Sequence, residues 1–270
     1  MESIANCSDP THGGRLQYFP PAEELKRPRG RSSLPPHIGE VLENHRQLHM
    51  QYHQNMRDLP ESHARNHSGN LENEDNKPAE IDHEHNCALW IAGLPSDIDH
   101  HEFLSRIRSA GKVYRLVIYP PKPSKGLPYA AARLRFFDRR GVNVLLSQAR
   151  QHTLTFRDLE PQVNQITSAA RPDGPESRVL IVEGPVQIVN IDFLHRFFEQ
   201  HLQFDLDVVY TEFEDDWHCR QQWHFGSYRQ QAERAHQALV WAKDLVRLSE
   251  EEGRLWQQVQ LSWGTDPCAN

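Results

Sequence analysis

The sequence predicts an α+β chain: two copies of a βαββαβ unit, each a four-stranded antiparallel sheet with two helices on one face, after a largely disordered N-terminal region. Three observations carry this. The first 86 residues hold only 22 apolar residues and eight prolines, too little apolar surface to offset the entropy of ordering them. From Cys87 onward, apolar runs of strand length alternate with helical periods. The order strand, helix, strand, strand, helix, strand then occurs twice, with a Pro/Gly/Ser-containing linker at 161–176 between the copies.

Within residues 1–86 one stretch stands apart. Ile38, Val41, Leu42, His45, Leu48, Tyr52 and Met56 recur at helical spacing after Pro35-Pro36, which predicts an amphipathic helix over 37–57 that docks on the folded part or on a partner. His45, His49 and His53 fall four apart on it, but no Cys or carboxylate completes a metal set, so they read as a polar edge. Lys26-Arg27-Pro28-Arg29-Gly30-Arg31 places four basic residues in six, a pattern open to nuclear import, phosphate binding or a kinase site at Ser32.

The first unit, 87–160, opens with the strand Ala88 to Leu94, closed by Gly93-Leu94-Pro95. Asp99 with Glu102 three residues later forms a capping box for a helix carrying Phe103, Leu104 and Ile107, stopped at Gly111. Val113 to Tyr119 and Tyr129 to Phe137 form a hairpin around the loop Pro120 to Pro128. Val142, Leu145 and Leu146 mark the second helix, and Thr153 to Phe156 the last strand. The second unit, 177–267, repeats the order: strand Val179 to Val182, helix Asp192 to Leu202, strands Phe204 to Phe213 and Arg220 to Phe225, helix Tyr228 to Leu248, strand Trp256 to Trp263. Alternation with Phe204, Leu206, Val208 and Tyr210 inward would turn Asp205 and Asp207 outward.

Composition excludes several classes. At 270 residues the length fits about two domains. No apolar run approaches the ~18 residues of a spanning helix, so no membrane partner is expected. Met1 to Pro10 lack the basic start and apolar run of a secretory signal. Cys7, Cys87, Cys219 and Cys268 lie far apart and read as reduced thiols of an intracellular protein. No G-x-G-x-x-G, G-x-x-x-x-G-K-[ST], H-E-x-x-H or G-x-S-x-G occurs, and neither an enzyme activity nor a cofactor is implied. The net charge of −7 is unevenly spread: −5 over 1–86, +6 over 87–160, −1 over 161–176 and −7 over 177–270. A polyanion within a Debye length of ~8–10 Å feels the local sign, which is positive only on the first unit.

Leu89-Trp90-Ile91-Ala92-Gly93-Leu94-Pro95 resembles the strand-one hexamer of the RNA recognition motif (RRM) family, and Tyr129 to Phe136 occupies the place of its strand-three octamer. The resemblance covers 87–160 well and 177–267 more loosely, and it implies two ferredoxin-like RRM domains, the second degenerate. It also implies that Trp90 stacks on a base from the open sheet face, joined by Arg115 and Tyr119 of strand two and by Arg133 and Arg135 of strand three. The octamer's two aromatics fall at Ala131 and Arg133, so part of the stacking platform is missing. Lys122 and Lys125 in the hairpin loop are placed to contact phosphates. In the second unit Ile181 replaces the hexamer aromatic, and Arg220 and Gln222 stand at the octamer's stacking positions, an acidic surface better suited to protein than to RNA. Gly253-Arg254-Leu255-Trp256 is similar to the Gly-Arg-x-Phe loop of the U2AF-homology subclass, which makes Arg254 and Trp256 candidate protein-binding residues. The reading is a nuclear, alternatively cytoplasmic, non-enzymatic protein that binds single-stranded RNA through its first unit and protein through its second or through the helix at 37–57. The alternative is a protein-interaction scaffold of an RNA-processing assembly without direct RNA contact.

Overall fold

The computed structural model describes residues 15–17, 85–169, 174–245 and 250–269. The helix expected at 37–57, its histidines and the basic cluster at 26–31 lie outside them. A three-residue strand, β1 (Arg15–Gln17), falls within the stretch expected to be disordered and pairs with the second unit.

The first unit runs β2 (Asn86–Leu94), α1 (His100–Arg106), β3 (Val113–Tyr119), β4 (Ala130–Phe136), α2 (Arg139–Arg150), β5 (Gln162–Ala169), with sheet order β3-β4-β2-β5 and all pairs antiparallel. The Asp99 carboxylate accepts the Glu102 N–H at 2.7 Å, as the capping box requires. Leu89, Ile91, Ala132, Leu134 and Phe136 turn toward the helices and cluster with Phe103, Leu104, Val142 and Leu145. α2 packs so closely that a Cβ on Gly141 would lie 2.4 Å from the Phe136 ring. The last strand is not Thr153 to Phe156. That segment is a turn whose Leu154 and Phe156 plug the core, Phe156 stacking 5.1 Å from Phe103. The strand comes from Gln162–Ala169, so half of the stretch expected to be linker is sheet. Its polar residues conceal it, because an edge strand with few buried side chains lacks a strong apolar alternation.

The second unit runs β6 (Val179–Pro185), α3 (Ile191–His201), β7 (Leu206–Glu214), β8 (His218–Phe225), α4 (Glu233–Leu245), α5 (Glu250–Gln258), β9 (Gln260–Trp263), with sheet order β1-β7-β8-β6-β9. Two features depart from expectation. β7 is bulged between Leu206 and Val208 and again between Thr211 and Phe213. A bulge exchanges the faces of everything beyond it, so Val209 is inward opposite Trp223 while Val208 and Tyr210 join the outer face. The chain from Glu250 is helical, and only Gln260–Trp263 remains as strand.

The two units share a boundary centred on Arg178, whose side chain is fully buried. Its Nε donates to Asp266 Oδ1 at 2.8 Å and its Nη1 to Asp207 Oδ2 and the Phe225 carbonyl, both at 3.0 Å. The other oxygen of Asp207 meets His101 Nδ1 of the first unit at 2.7 Å. The other oxygen of Asp266 accepts the Val113 N–H, again from the first unit, at 2.8 Å. The C-terminal segment thus straps back: Gly111 N–H donates to the Cys268 carbonyl, and the Cys268 side chain enters the first unit's core. Ser227 closes the edge of β3, accepting the Leu116 N–H at 2.8 Å and donating to its carbonyl at 3.0 Å. Tyr114, Phe137 and Tyr228 pack edge-to-face and tilted across the same boundary with centroids 5.2–5.8 Å apart.

Arg178→Ala would leave two buried carboxylates without their cation. Breaking a buried ion pair in this way costs about 3–5 kcal/mol. A urea titration of the variant is expected to show that loss, whereas an unchanged midpoint would mean the cluster contributes nothing.

Candidate nucleic-acid interface

Register decides what the first sheet presents. Trp90 pairs with Arg133 on one side and Asn164 on the other, and Arg133 pairs in turn with Val117. Because Leu89 and Ile91 point to the helices, Trp90 lies on the opposite face with Ala92, Ala131, Arg133, Arg115 and Tyr119. Trp90 is partly exposed and Tyr119 and Arg133 are exposed. The indole therefore occupies the expected place, neither buried in the interior nor covered by either helix.

The missing platform aromatic is replaced in part. Tyr119 pairs with Ala131, and β4 separates it from β2, yet its ring centroid lies 5.3 Å from that of Trp90 at an interplanar angle of 39°. The alanine at 131 is what lets the tyrosine lean across the intervening strand. Tyr129, 54% exposed, stands on the same alternation two residues before Ala131, an aromatic that the octamer alignment assigned no role. Lys122 and Lys125 are exposed on the hairpin loop, which is closed by hydrogen bonds between Lys122 and Leu127 and turned by Gly126 at φ +73°.

Arg135 departs from expectation. Its guanidinium lies 4.5 Å from the Tyr114 ring centroid and Nη2 donates to the Ala169 carbonyl, so it ties β4 to the end of β5 and to the inter-unit boundary. The reason is the bulge in β3 between Val113 and Arg115, which turns the Tyr114 ring toward Arg135.

The second sheet differs in kind. Arg220 is gripped by Glu183 and Glu212, Gln222 donates to Glu212, and His218 meets Glu183 at 3.2 Å, so the arginine at the stacking position is neutralised. The hydrogen bond from Arg220 holds the Glu183 carboxyl below its ordinary range. Contrary to expectation, Asp207 is buried in the boundary, and Tyr210 and the half-exposed Phe213 lie on the outer face. Trp256 also departs from expectation: it is fully buried against Phe193 and Phe197, and Arg254 sits on a helix, so this segment offers no ring to a partner. His100 and His101 face Asp205 and Asp207.

Among the described residues, no group of three or more His, Cys, Asp or Glu is placed to hold a metal, and no helix is long and apolar enough to cross a membrane. Each unit contains four strands in the order second, third, first, fourth with helices behind them, the second unit adding β1 at its edge and a third helix. This is the RRM fold, twice. No family model matches the sequence, and no curated protein does. Among solved structures the chain is similar to RNA recognition domains 1 and 2 of Sex-lethal from Drosophila melanogaster, at 16% identity over 66% of this chain and 100% of that one, with a TM-score of 0.24. It is similar also to the first two RRM domains of yeast poly(U) binding protein, at 10% identity over 66% and 99%, TM-score 0.26. A third is the C. elegans NONO-1 homodimer, at 13% identity over 67% and 64%, TM-score 0.24. The fold assignment rests on strand order and register.

One titrating group beside the boundary gives a pH prediction. Burial, reinforced by the charge of Arg178, pushes the His224 imidazole down to about 3. As pH falls from about 6.5 toward 3 the unfolded chain takes up a proton that the folded chain refuses, so stability present above pH 6.5 is progressively lost. His224→Gln is expected to flatten this decline relative to the parent in urea midpoints measured across that range. Buried His100, also lowered chiefly by desolvation, keeps part of the slope.

Proposed function

We propose that the protein binds single-stranded RNA on the open sheet face of its first RRM. The observation that carries the reading is the Trp90–Tyr119 ring pair, centroids 5.3 Å apart, set beside the exposed Arg133 on the face of the basic unit that, among the described residues, neither helix covers. Two rings offer bases a π surface, and each stacked base contributes about 1–3 kcal/mol. Arg115 and Arg133 add planar cations that stack on bases or pair with phosphates. Lys122 and Lys125 extend the positive surface along the hairpin, and Arg135 acts by holding the sheet's edge.

The second sheet serves protein rather than RNA in this reading. Its β7–β8 hairpin carries Trp217 at 76% exposure and Phe213 at 50%, flanked by Glu212, Glu214, Asp215 and Asp216. Such a tip suits a basic surface with an apolar slot.

Fluorescence anisotropy with a labelled pool of random single-stranded RNA tests the first reading in the full chain. Binding is expected to weaken as salt rises, and Trp90→Ala combined with Arg133→Ala to lower affinity about tenfold or more, with a shallower salt slope. A parent chain that binds no RNA even at low salt would leave the scaffold alternative in its place.

A further inference from the structure

A cavity of about 470 Å³ opens where the edge of β3 meets the second unit. That volume falls in the range of ligand pockets, about 300–1,000 Å³. One wall is Arg115 and Val117, both on the open face of the first sheet. The other is Gln200 and Gln203 at the end of α3, Gln230 in the turn Tyr228–Ala232, and Arg234 on α4. The row Arg115, Val117, Tyr119 runs along β3 from this cavity to the ring pair, so the two sites share one strand face.

Amides and guanidinium groups make up most of the polar lining, which also holds the Glu199 carboxylate, His201 and Ser227 beside the apolar Leu116, Val117 and Leu202, and it is incompletely satisfied. The buried Gln200 Oε1 has no hydrogen-bond partner among the described residues, and reversing the amide would merely leave the nitrogen in that position instead. Arg115 and Arg234 are exposed, and no hydrogen bond or ion pair engages either among the described residues. Arg229, by contrast, is held by Glu233, and Glu199 lies 3.7 Å from His195. Gln230 adopts φ +70°, ψ −10°, a left-handed conformation that costs a glutamine and persists where the surroundings impose it, as at binding sites.

We propose that this cavity takes one nucleotide of the RNA strand lying on the first sheet, its base edge against the glutamine amides and its phosphate at Arg115 and Arg234. The inference rests on the sheet-binding reading. The chemistry favours a nucleotide because carboxamides pair bidentately with base edges and guanidinium groups with phosphate, whereas a protein side chain would need the apolar anchor pocket that this polar lining lacks. The boundary built on Arg178 keeps the two walls together, so the site is formed before RNA arrives.

The test uses the full chain and labelled single-stranded RNAs of about four and about twelve nucleotides, the shorter able to cover the sheet alone. Arg234→Ala and Gln203→Ala are each expected to weaken the longer RNA about fivefold and leave the shorter unchanged, while Trp90→Ala weakens both. 4-Thiouridine in the longer RNA should crosslink to residues 199–203 or 227–234. Trp90-dependent binding of the longer RNA that neither variant alters, with crosslinks confined to the first unit, overturns the cavity while sparing the sheet. Loss of Trp90 dependence at both lengths overturns the sheet reading and this inference with it.

Discussion

A guanidinium with no access to water must find its counter-charges within the protein, and at Arg178 it finds them on two segments that come together only when both βαββαβ units are in place. Asp207 enters from the start of β7 and Asp266 from the C-terminal strap, and each spends its second oxygen on the first unit, at His101 and at the Val113 N–H. Burial works to lower the Arg178 pKa, but Asp266, Cys268 and Asp207 more than offset it, and the group stays charged. Because desolvating three charges is costly unless every lone pair is answered, the cluster tolerates little displacement. Orientation between the units is set here, and the aromatic contacts of Tyr114, Phe137 and Tyr228 add apolar area around it.

That constraint has a consequence for recognition. The boundary uses the N-terminal end of α1, the edge of β3 and the C-terminal strap, so none of these described segments lies over the first sheet's outer face, which carries Trp90 and Tyr119. The strap also accounts for the thiol of Cys268: burial, with help from Asp266, pushes it up to about 12, so it behaves as a small apolar group completing the first unit's core. The second sheet, with Arg220 committed to Glu183 and Glu212, has little free cation to offer a polyanion. One unit thus presents a basic face carrying the Trp90–Tyr119 ring pair, and the other contributes the wall against which a cleft forms.

Much of this was legible in the residues. The Asp99–Glu102 box, the helical periods of Phe103/Leu104 and of Phe193/Leu194/Phe197/Phe198, and the hairpin between Tyr119 and Tyr129 all lie where their spacing places them, since each is a local preference reinforced by burial of one face. Trp90 was legible for the same reason: alternation around Leu89 and Ile91 leaves it one direction. β5 is not legible locally because its side chains are mostly polar and its pairing with β2 is long-range. The faces of β7 depart from simple alternation because its bulges carry no sequence signature, and each inserted residue exchanges the faces of the segment up to the next.

Local pattern by itself determined the two βαββαβ units, the basic character of the first and the outward indole, because these follow from periodicity and from charge counted along the chain. Tertiary structure decided which polar residues are spent inside. Arg178, Asp207, Asp266 and His101 look in the sequence like ordinary surface charges, and Arg135 like a free cation. Their partners lie on other strands and, for the Arg178 cluster, on segments up to 153 positions apart, so only the assembled boundary shows that they hold the units together while Arg115, Arg133 and Arg234 are exposed among the described residues.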